Sequence, residues 1–245
     1  MSAVASAVSE AGSGVRERVL AALATVYDPE LDEPVTSLRF VSSCEVGDGG
    51  SVSVVLRLPT PQCAPNFAFL MADDARRAVL GLPGVRAVSV RLEDHYTGDE
   101  INGALARGAG FTAAFPGETD DDDLESLREL FTRKALIARQ AAVCEAMLAD
   151  GASAEQIAAL TVAELPETAV ARRCVELRLA LGLQSAPESP AFVLATGEAL
   201  TADQLHRWLR MGRLVRTGLE ANGGICRALL QARHGLAPDP EEVQG

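Results

Sequence analysis

The sequence predicts an α+β fold, a small N-terminal α-β-β-α-β domain followed by a mostly α-helical C-terminal region. Three observations predict it. Apolar residues recur at helical spacing through Val15, Val19, Ala22, Leu23 and Val26. They alternate with polar ones in "SVSVVLRL" (51–58) and "VRAVSVRL" (85–92), and in the second half of the chain helical spacing dominates.

Each element has its own signal. The first helix stops at "YDPELDEP" (27–34), where Pro29 denies Asp28 the helical conformation. Val35 to Cys44 then reads as extended, "EVGDGG" (45–50) as a turn, and the next strand puts Val52, Val54, Leu56 and Leu58 on one face, making a hairpin. From Pro65 the set Phe67, Leu70, Met71, Ala75, Ala78 and Leu82 returns to helical spacing until Pro83 and Gly84 end it, before a third strand. The expected organisation is a disordered tail over 1–14, the α+β domain over 15–112 and a helical extension over 113–245.

Composition narrows the function classes. The 245 residues are 48% hydrophobic and carry a formal net charge of -12. That acidity disfavours nonspecific nucleic-acid binding, because neutralising phosphates needs an excess of Lys and Arg. No window approaches the roughly 18 apolar residues of a membrane span, and "MSAVASAVSEAGSG" lacks the basic start and apolar run of a secretory signal. Five scattered cysteines without CxxC spacing argue against a disulfide framework and for a reducing, cytoplasmic setting.

One cysteine stands apart. Cys63 lies between two prolines in "RLPTPQCAPNFAFL" (57–70), in a turn that cannot be fully buried. A hairpin turn centred near residue 48 sets Thr60 opposite Thr36 and brings the DPELDEP loop beside Cys63. Cys44 falls at the far end of the ladder, about 25 to 30 Å away, so it cannot share a metal with Cys63 in one chain. Cys63 also precedes the helix that starts near Pro65, where free N–H groups and the helix dipole favour a thiolate, the form that binds soft metals. Spacing alone leaves both a ligand role and a turn-capping role open, and the acidic loop alone reads as a solvated turn.

The strings "VYDPELDEPVTSL" (26–38), "TPQCAP" (60–65) and "LPGVRAVSVRL" (82–92) resemble, in order and at similar spacing, three landmarks of the small family that includes SufT-type and PaaD-type iron-sulfur assembly factors. The resemblance covers Val15 to Leu92. It implies delivery of iron-sulfur clusters or iron, held transiently, to a client metalloenzyme, with a bacterial multicomponent di-iron monooxygenase as one specific client. By position it assigns cargo binding to Asp28, Glu30, Thr60 and Cys63, with Cys63 as the metal ligand. The chain departs from the family where Gln62, Cys63 and Ala64 replace Gly, Cys and Pro, the proline coming one place later at Pro65, and where it continues for about 150 residues. One exposed thiolate per chain is too few for a four-cysteine cluster site, so a homodimer that pairs two Cys63 residues is expected. Enzyme catalysis has no support, because no nucleophile-base pair, phosphate-binding glycine loop or complete metal triad stands out. The alternatives are an interaction or folding scaffold that binds no metal and, more weakly, a nucleic-acid-binding module in the C-terminal helices.

The remaining chain reads as structural. "EDHYTGDEIN" (93–102) reads as a polar loop and short helix, not as an iron site around His95, and "GETDDDD" (117–123) as a capping run before a long helix. Leu127, Leu130, Ile137, Ala141, Cys144 and Leu148 form its stripe; Val170, Cys174, Leu177 and Leu181 form that of another helix. Ser153 with Gln156, Thr161 with Glu164 and Thr201 with Gln204 mark helix starts, and "QSAPESPA" (184–191) reads as a linker. The last helix is expected to break at Asn222–Gly224 and to keep Leu205, Trp208, Val215, Leu219 and Cys226 on its apolar side. Arginines 207, 210, 213, 216, 227 and 233 spiral around it, a local basic excess that fits docking within the protein or on an acidic client better than nucleic acid.

Overall fold

The computed structural model describes residues 14–121 and 124–235. The expected tail lies outside the described residues apart from Gly14, as do Asp122 and Asp123 of the acidic run. The described chain divides into two units: the residues up to Glu125 together with those from Gly223 onward, and Ser126–Asn222.

The first unit begins with helix α1, described over 14–23, whose Val19 and Leu23 are fully buried. Two short strands, β1 (Tyr27–Asp28) and β2 (Glu33–Pro34), pair antiparallel around the proline-kinked loop. A three-stranded sheet follows, with β3 (Val41–Val46) antiparallel to β4 (Ser51–Arg57), and β4 parallel to β5 (Ala87–Glu93). A parallel pair needs a crossover. Helix α2 (Pro65–Leu80) supplies it, burying Ala68, Phe69, Leu70, Met71, Ala72, Ala75 and Val79. Helices α3 (Gly98–Ala106) and α4 (Phe111–Ala114) complete this part, with Phe111 packed edge-on against Phe69 at 5.6 Å between ring centroids. Asn102 pairs with both backbone groups of Leu92, 2.8 Å from its N–H and 2.9 Å from its carbonyl, which closes that point of the β5 edge.

The α+β order is as expected, with one strand shifted. Residues 35–39 are not extended; β3 starts only at Val41. Phe40 N–H reaches the Val35 carbonyl and Arg39 N–H the Thr36 carbonyl, with Arg39 at φ 61°, the closure that normally ends a helix. Val35, Leu38 and Phe40 are all buried, so the apolar residues serve one helical turn instead of one strand face. The register differs too. Cys44 pairs with Val54 and Val46 with Val52, an irregularity falls between Val41 and Ser43, and the last ladder bond runs from Arg57 N–H to Phe40 O at 2.7 Å. Thr36 and Thr60 therefore do not face each other in the ladder.

The second unit comprises most of α5 (Glu125–Ala149), then α6 (Ala154–Ala159), α7 (Ala169–Ala180) and the first two-thirds of α8 (Ala202–His234). Its core gathers Leu136, Ala141, Cys144, Ile157, Cys174, Leu177, Phe192, Leu205, Trp208 and Leu209. Cys144 and Cys174 are buried, as their stripes require, and burial pushes the Cys144 thiol far up. Leu130 is half exposed, so the α5 stripe packs only from its middle onward. The Ser153–Gln156 and Thr161–Glu164 boxes both form. Helices α5 and α8 approach closely at Gly212, where a Cβ would come within 2.5 Å of the Ala141 Cβ.

Two parts of this unit go beyond the sequence expectation. The segment read as a linker is tied down, with Ser189 O accepting Val162 N–H and Pro187 O accepting Ala163 N–H. Arg178 is fully buried, and its guanidinium donates to the carbonyls of Pro190 (2.7 Å), Ala191 (3.0 Å) and Gln184. It holds the turn after α7 as a backbone would, a role that no local pattern announces. Among the described residues no helix is long and apolar enough to cross a membrane. Arg178→Leu keeps most of the volume and strands three carbonyls, so urea denaturation is expected to show a loss of roughly 2–4 kcal/mol. A loss below about 0.5 kcal/mol would contradict this role.

Candidate functional site

The site is built where β4 hands over to α2. Cys63 lies two residues before Pro65, the first residue of α2, as the sequence predicts. Pro65 lacks an N–H and the Asn66 side chain accepts from Phe67 N–H at 2.9 Å, so the first turn offers fewer free donors than helix geometry alone suggests. Cys63 is half-buried. Its N–H donates to the Thr60 carbonyl at 3.3 Å, and its sulfur sits 3.7 Å from the Thr60 hydroxyl. Thr60 and Cys63 therefore form one tight turn, with the hydroxyl positioned at the thiol.

A second loop clamps this turn. His95 Nε2 lies 2.8 Å from the Cys63 carbonyl oxygen, and Tyr96 N–H donates to the Pro61 carbonyl at 3.0 Å. A carbonyl can only accept, so Nε2 carries the proton and Nδ1 is the acceptor. Nδ1 is satisfied by the Thr97 hydroxyl at 3.1 Å and the Thr97 N–H at 3.3 Å. Asp94, with φ at 53°, turns the chain so that His95 can reach back. The polar-loop reading of this stretch therefore holds, and His95 also acts as the clasp on the Cys63 loop.

Asp28 closes the other loop. Its Oδ1 accepts Glu30 N–H at 2.8 Å and Leu31 N–H at 3.0 Å, while its backbone carbonyl accepts Asp32 N–H at 2.9 Å. The side chain is 8% exposed, and burial, only partly offset by those two N–H donors, raises it from 3.8 to about 6. Neighbouring Glu30 and Glu33 push in the same direction as burial. Glu30 itself is half-buried in this loop. The loop is therefore an ordered cap on a buried carboxylate, not the solvated turn that its composition suggests.

Sequence reasoning places Cys226 on the apolar side of the last helix, and it does lie on the withdrawn side of α8, but in the part that belongs to the first unit. Cys226 is half-buried and outside the core of the second unit. Helix α8 runs through Asn222–Gly224 without the expected break, and its residues from Gly223 belong to the first unit. Burial raises the Cys226 thiol to about 11, and the charges that add to this are Asp28, Cys63 and Glu30. Asp28, Glu30 and Cys63, three of the four residues assigned to the candidate site, thus act electrostatically on the Cys226 thiol. The only signal was its place on the Gly223, Cys226, Leu230 stripe, which reads as ordinary amphipathicity. Cys44 is buried opposite Val54 and stays apart from this group. Among the described residues no group of three or more His, Cys, Asp or Glu side chains is arranged to hold a metal ion.

The arginines of α8 mostly find carboxylates within their own unit. Arg213 and Arg216 meet Glu145, Arg216 also meets Glu220, Arg227 meets Glu33 and Arg233 meets Asp94.

The Asp28 carboxyl yields a pH test. The native state holds this proton more tightly than the unfolded chain, so stability falls as pH rises from about 4 to about 6, by at most roughly 3 kcal/mol. Asp28→Asn keeps the Oδ1 acceptor and removes the charge. The variant is expected to be about 1–3 kcal/mol more stable than the wild type at pH 7 in urea denaturation, and the two should converge below about pH 4. A variant less stable at pH 7 would contradict the buried-charge account.

Comparison with known proteins finds relatives of the unit that carries these loops. The iron-sulfur cluster assembly protein family matches residues 16–91, which run from α1 into β5 and include Asp28, Glu30, Thr60 and Cys63. An Fe-S protein maturation auxiliary factor of Porphyromonas gingivalis is 36% identical over 76 residues, covering 31% of this chain and 70% of that protein. An uncharacterized protein of Methanocaldococcus jannaschii is 37% identical over 90 residues, 37% of this chain and 93% of that protein. An iron-sulfur cluster carrier protein of Mycobacterium tuberculosis is 39% identical over 72 residues, but the match spans only 18% of its length and 29% of this chain. No solved structure matches the chain. Through the unit that carries Cys63, the chain belongs to the iron-sulfur cluster assembly protein family.

Proposed function

We propose that this protein is a non-catalytic carrier or maturation factor that holds an iron-sulfur cluster or iron transiently at Cys63 and passes it to a client metalloenzyme. The observation that carries the reading is the placement of Cys63. Its thiol is half-exposed at the mouth of α2, beside the Thr60 hydroxyl, in a loop clamped by His95 and Tyr96. A soft sulfur ligand held this way meets thiophilic metal without loop rearrangement. With few protein ligands per chain, cargo is retained weakly and leaves by exchange onto the client's own ligands.

Asp28, Glu30 and Thr60 assist in this reading. Thr60 orients the thiol, and the Asp28 loop supplies carboxylate character at the same end of the unit. The family names of its relatives support cluster handling, and the chain's remaining helices are proposed to recognise the client. A bacterial multicomponent di-iron monooxygenase is the specific client proposed, in the cytoplasm. The working form is proposed to be a homodimer in which two chains jointly offer sulfur to one cluster.

Cys63→Ser tests the reading, because serine preserves the turn but is a poor ligand for soft metal. The variant is expected to fold within about 1 kcal/mol of the wild type. It should lower client maturation by tenfold or more in cells that lack the wild-type protein. Full maturation with Cys63→Ser would reduce the cysteine to a turn residue and put the scaffold reading in its place.

A further inference from the structure

The last segment of α8 turns one face toward the loops of the site. Gly223, Cys226, Arg227, Leu230 and His234 recur at steps of three and four and are withdrawn from solvent, whereas Gly224, Ile225, Ala228, Leu229 and Ala232 are exposed. The contacts at the two ends of this segment locate the face. At one end Arg227 Nη1 lies 2.6 Å from Glu33 Oε2, and a Cβ on Gly223 would come within 3.0 Å of Glu33 Oε1. At the other end Arg233 donates to the Pro59 carbonyl at 2.8 Å and pairs with Asp94, next to His95. Glu33 belongs to the Asp28 loop and Pro59 leads into the Cys63 turn. Cys226 lies in the turn that Gly223 and Arg227 anchor to Glu33, and it shares its side of the helix with Arg233, seven residues on, so it faces the loops that these anchors meet.

We propose that Cys226 is the second thiol of the cargo site, so that each chain presents a Cys63–Cys226 pair to a soft metal ion or iron-sulfur cluster. This rests on the reading of Cys63 as the cargo ligand. Metal–sulfur bonds form as each thiol gives its proton to solvent, and no electron is transferred. The electrostatic influence of Cys63, Asp28 and Glu30 on the Cys226 thiol agrees with this placement. The pair also resolves a shortage of ligands. One cysteine per chain leaves a dimer two sulfurs short of a four-thiolate cluster site, and two cysteines per chain supply the full set. The anchors suit transient holding, because Arg227–Glu33 and Arg233–Asp94 are partly solvated pairs of the kind that contribute little each.

Cadmium titration of the reduced, full-length protein without oxygen tests the proposal, because Cd–thiolate absorbance reports the number of sulfurs on each ion. The wild type is expected to show about twice the absorbance per bound Cd2+ of either Cys63→Ser or Cys226→Ser, and each single variant should bind Cd2+ at least tenfold more weakly. If Cys226→Ser keeps the wild-type absorbance and affinity while Cys63→Ser loses them, Cys226 is no ligand and the Cys63 reading survives. If neither variant differs from the wild type, both readings fall. A second measurement needs no variant. The short bis-electrophile dibromobimane should join Cys63 to Cys226 within one chain, identified by peptide mapping, and adducts on single thiols alone would overturn the proposal.

Discussion

The candidate site depends on the clasp between two loops, in which His95 Nε2–H donates to the carbonyl of Cys63 and Tyr96 N–H to that of Pro61. A seven-residue connection between β4 and α2 with prolines on both sides of the cysteine has no ladder of its own to fix it. Without an outside donor, the Cys63 peptide could turn its carbonyl to solvent and swing the thiol with it. The imidazole prevents this because its own tautomer is fixed from behind by Thr97. Since β5 runs parallel to β4, both strands end on the same side of the sheet, and the loop after β5 is delivered directly to the loop after β4. The crossover helix α2 makes that parallel pairing possible. The same helix therefore carries Cys63 at its start and brings His95 to it.

Asp28 adds a second constraint. Burying a carboxylate that titrates near neutrality works against stability, and its Oδ1 bonds to Glu30 and Leu31 N–H offset only part of that. An asparagine could make the same two bonds. A carboxylate in that position is thus not required by the loop geometry. Helix α8 contributes its first part to the core of the second unit, around Leu205, Trp208 and Leu209, and its last part to the loops of the first.

Much of the fold was legible because it rests on short-range chemistry. Alternation marked β4 and β5, the Pro65 start and Leu70–Met71 spacing marked α2, and two capping boxes formed where Ser153 and Thr161 announced them. Val35–Arg39 was misread because a single helical turn and a strand entry both admit buried residues at 35, 38 and 40. Only the left-handed Arg39 separates them. At the candidate site, the Cys63 turn and the Asp28 loop are marked in the sequence by their prolines, their charge and a family resemblance. His95 and Cys226 are not. Their positions depend on which strand ends share a side of the sheet and on where a 33-residue helix finishes, and neither is encoded within any local window.

Anaerobic reconstitution of the full-length protein with ferrous iron and sulfide, followed by absorption spectroscopy and iron and sulfide analysis, tests the central claim most directly. The wild-type protein is expected to acquire an iron-sulfur chromophore with iron and sulfide in fixed ratio to the chain, and a folded Cys63→Ser protein is expected to lack it. A wild-type protein that acquires no chromophore, or a Cys63→Ser protein that acquires the same one, would contradict it.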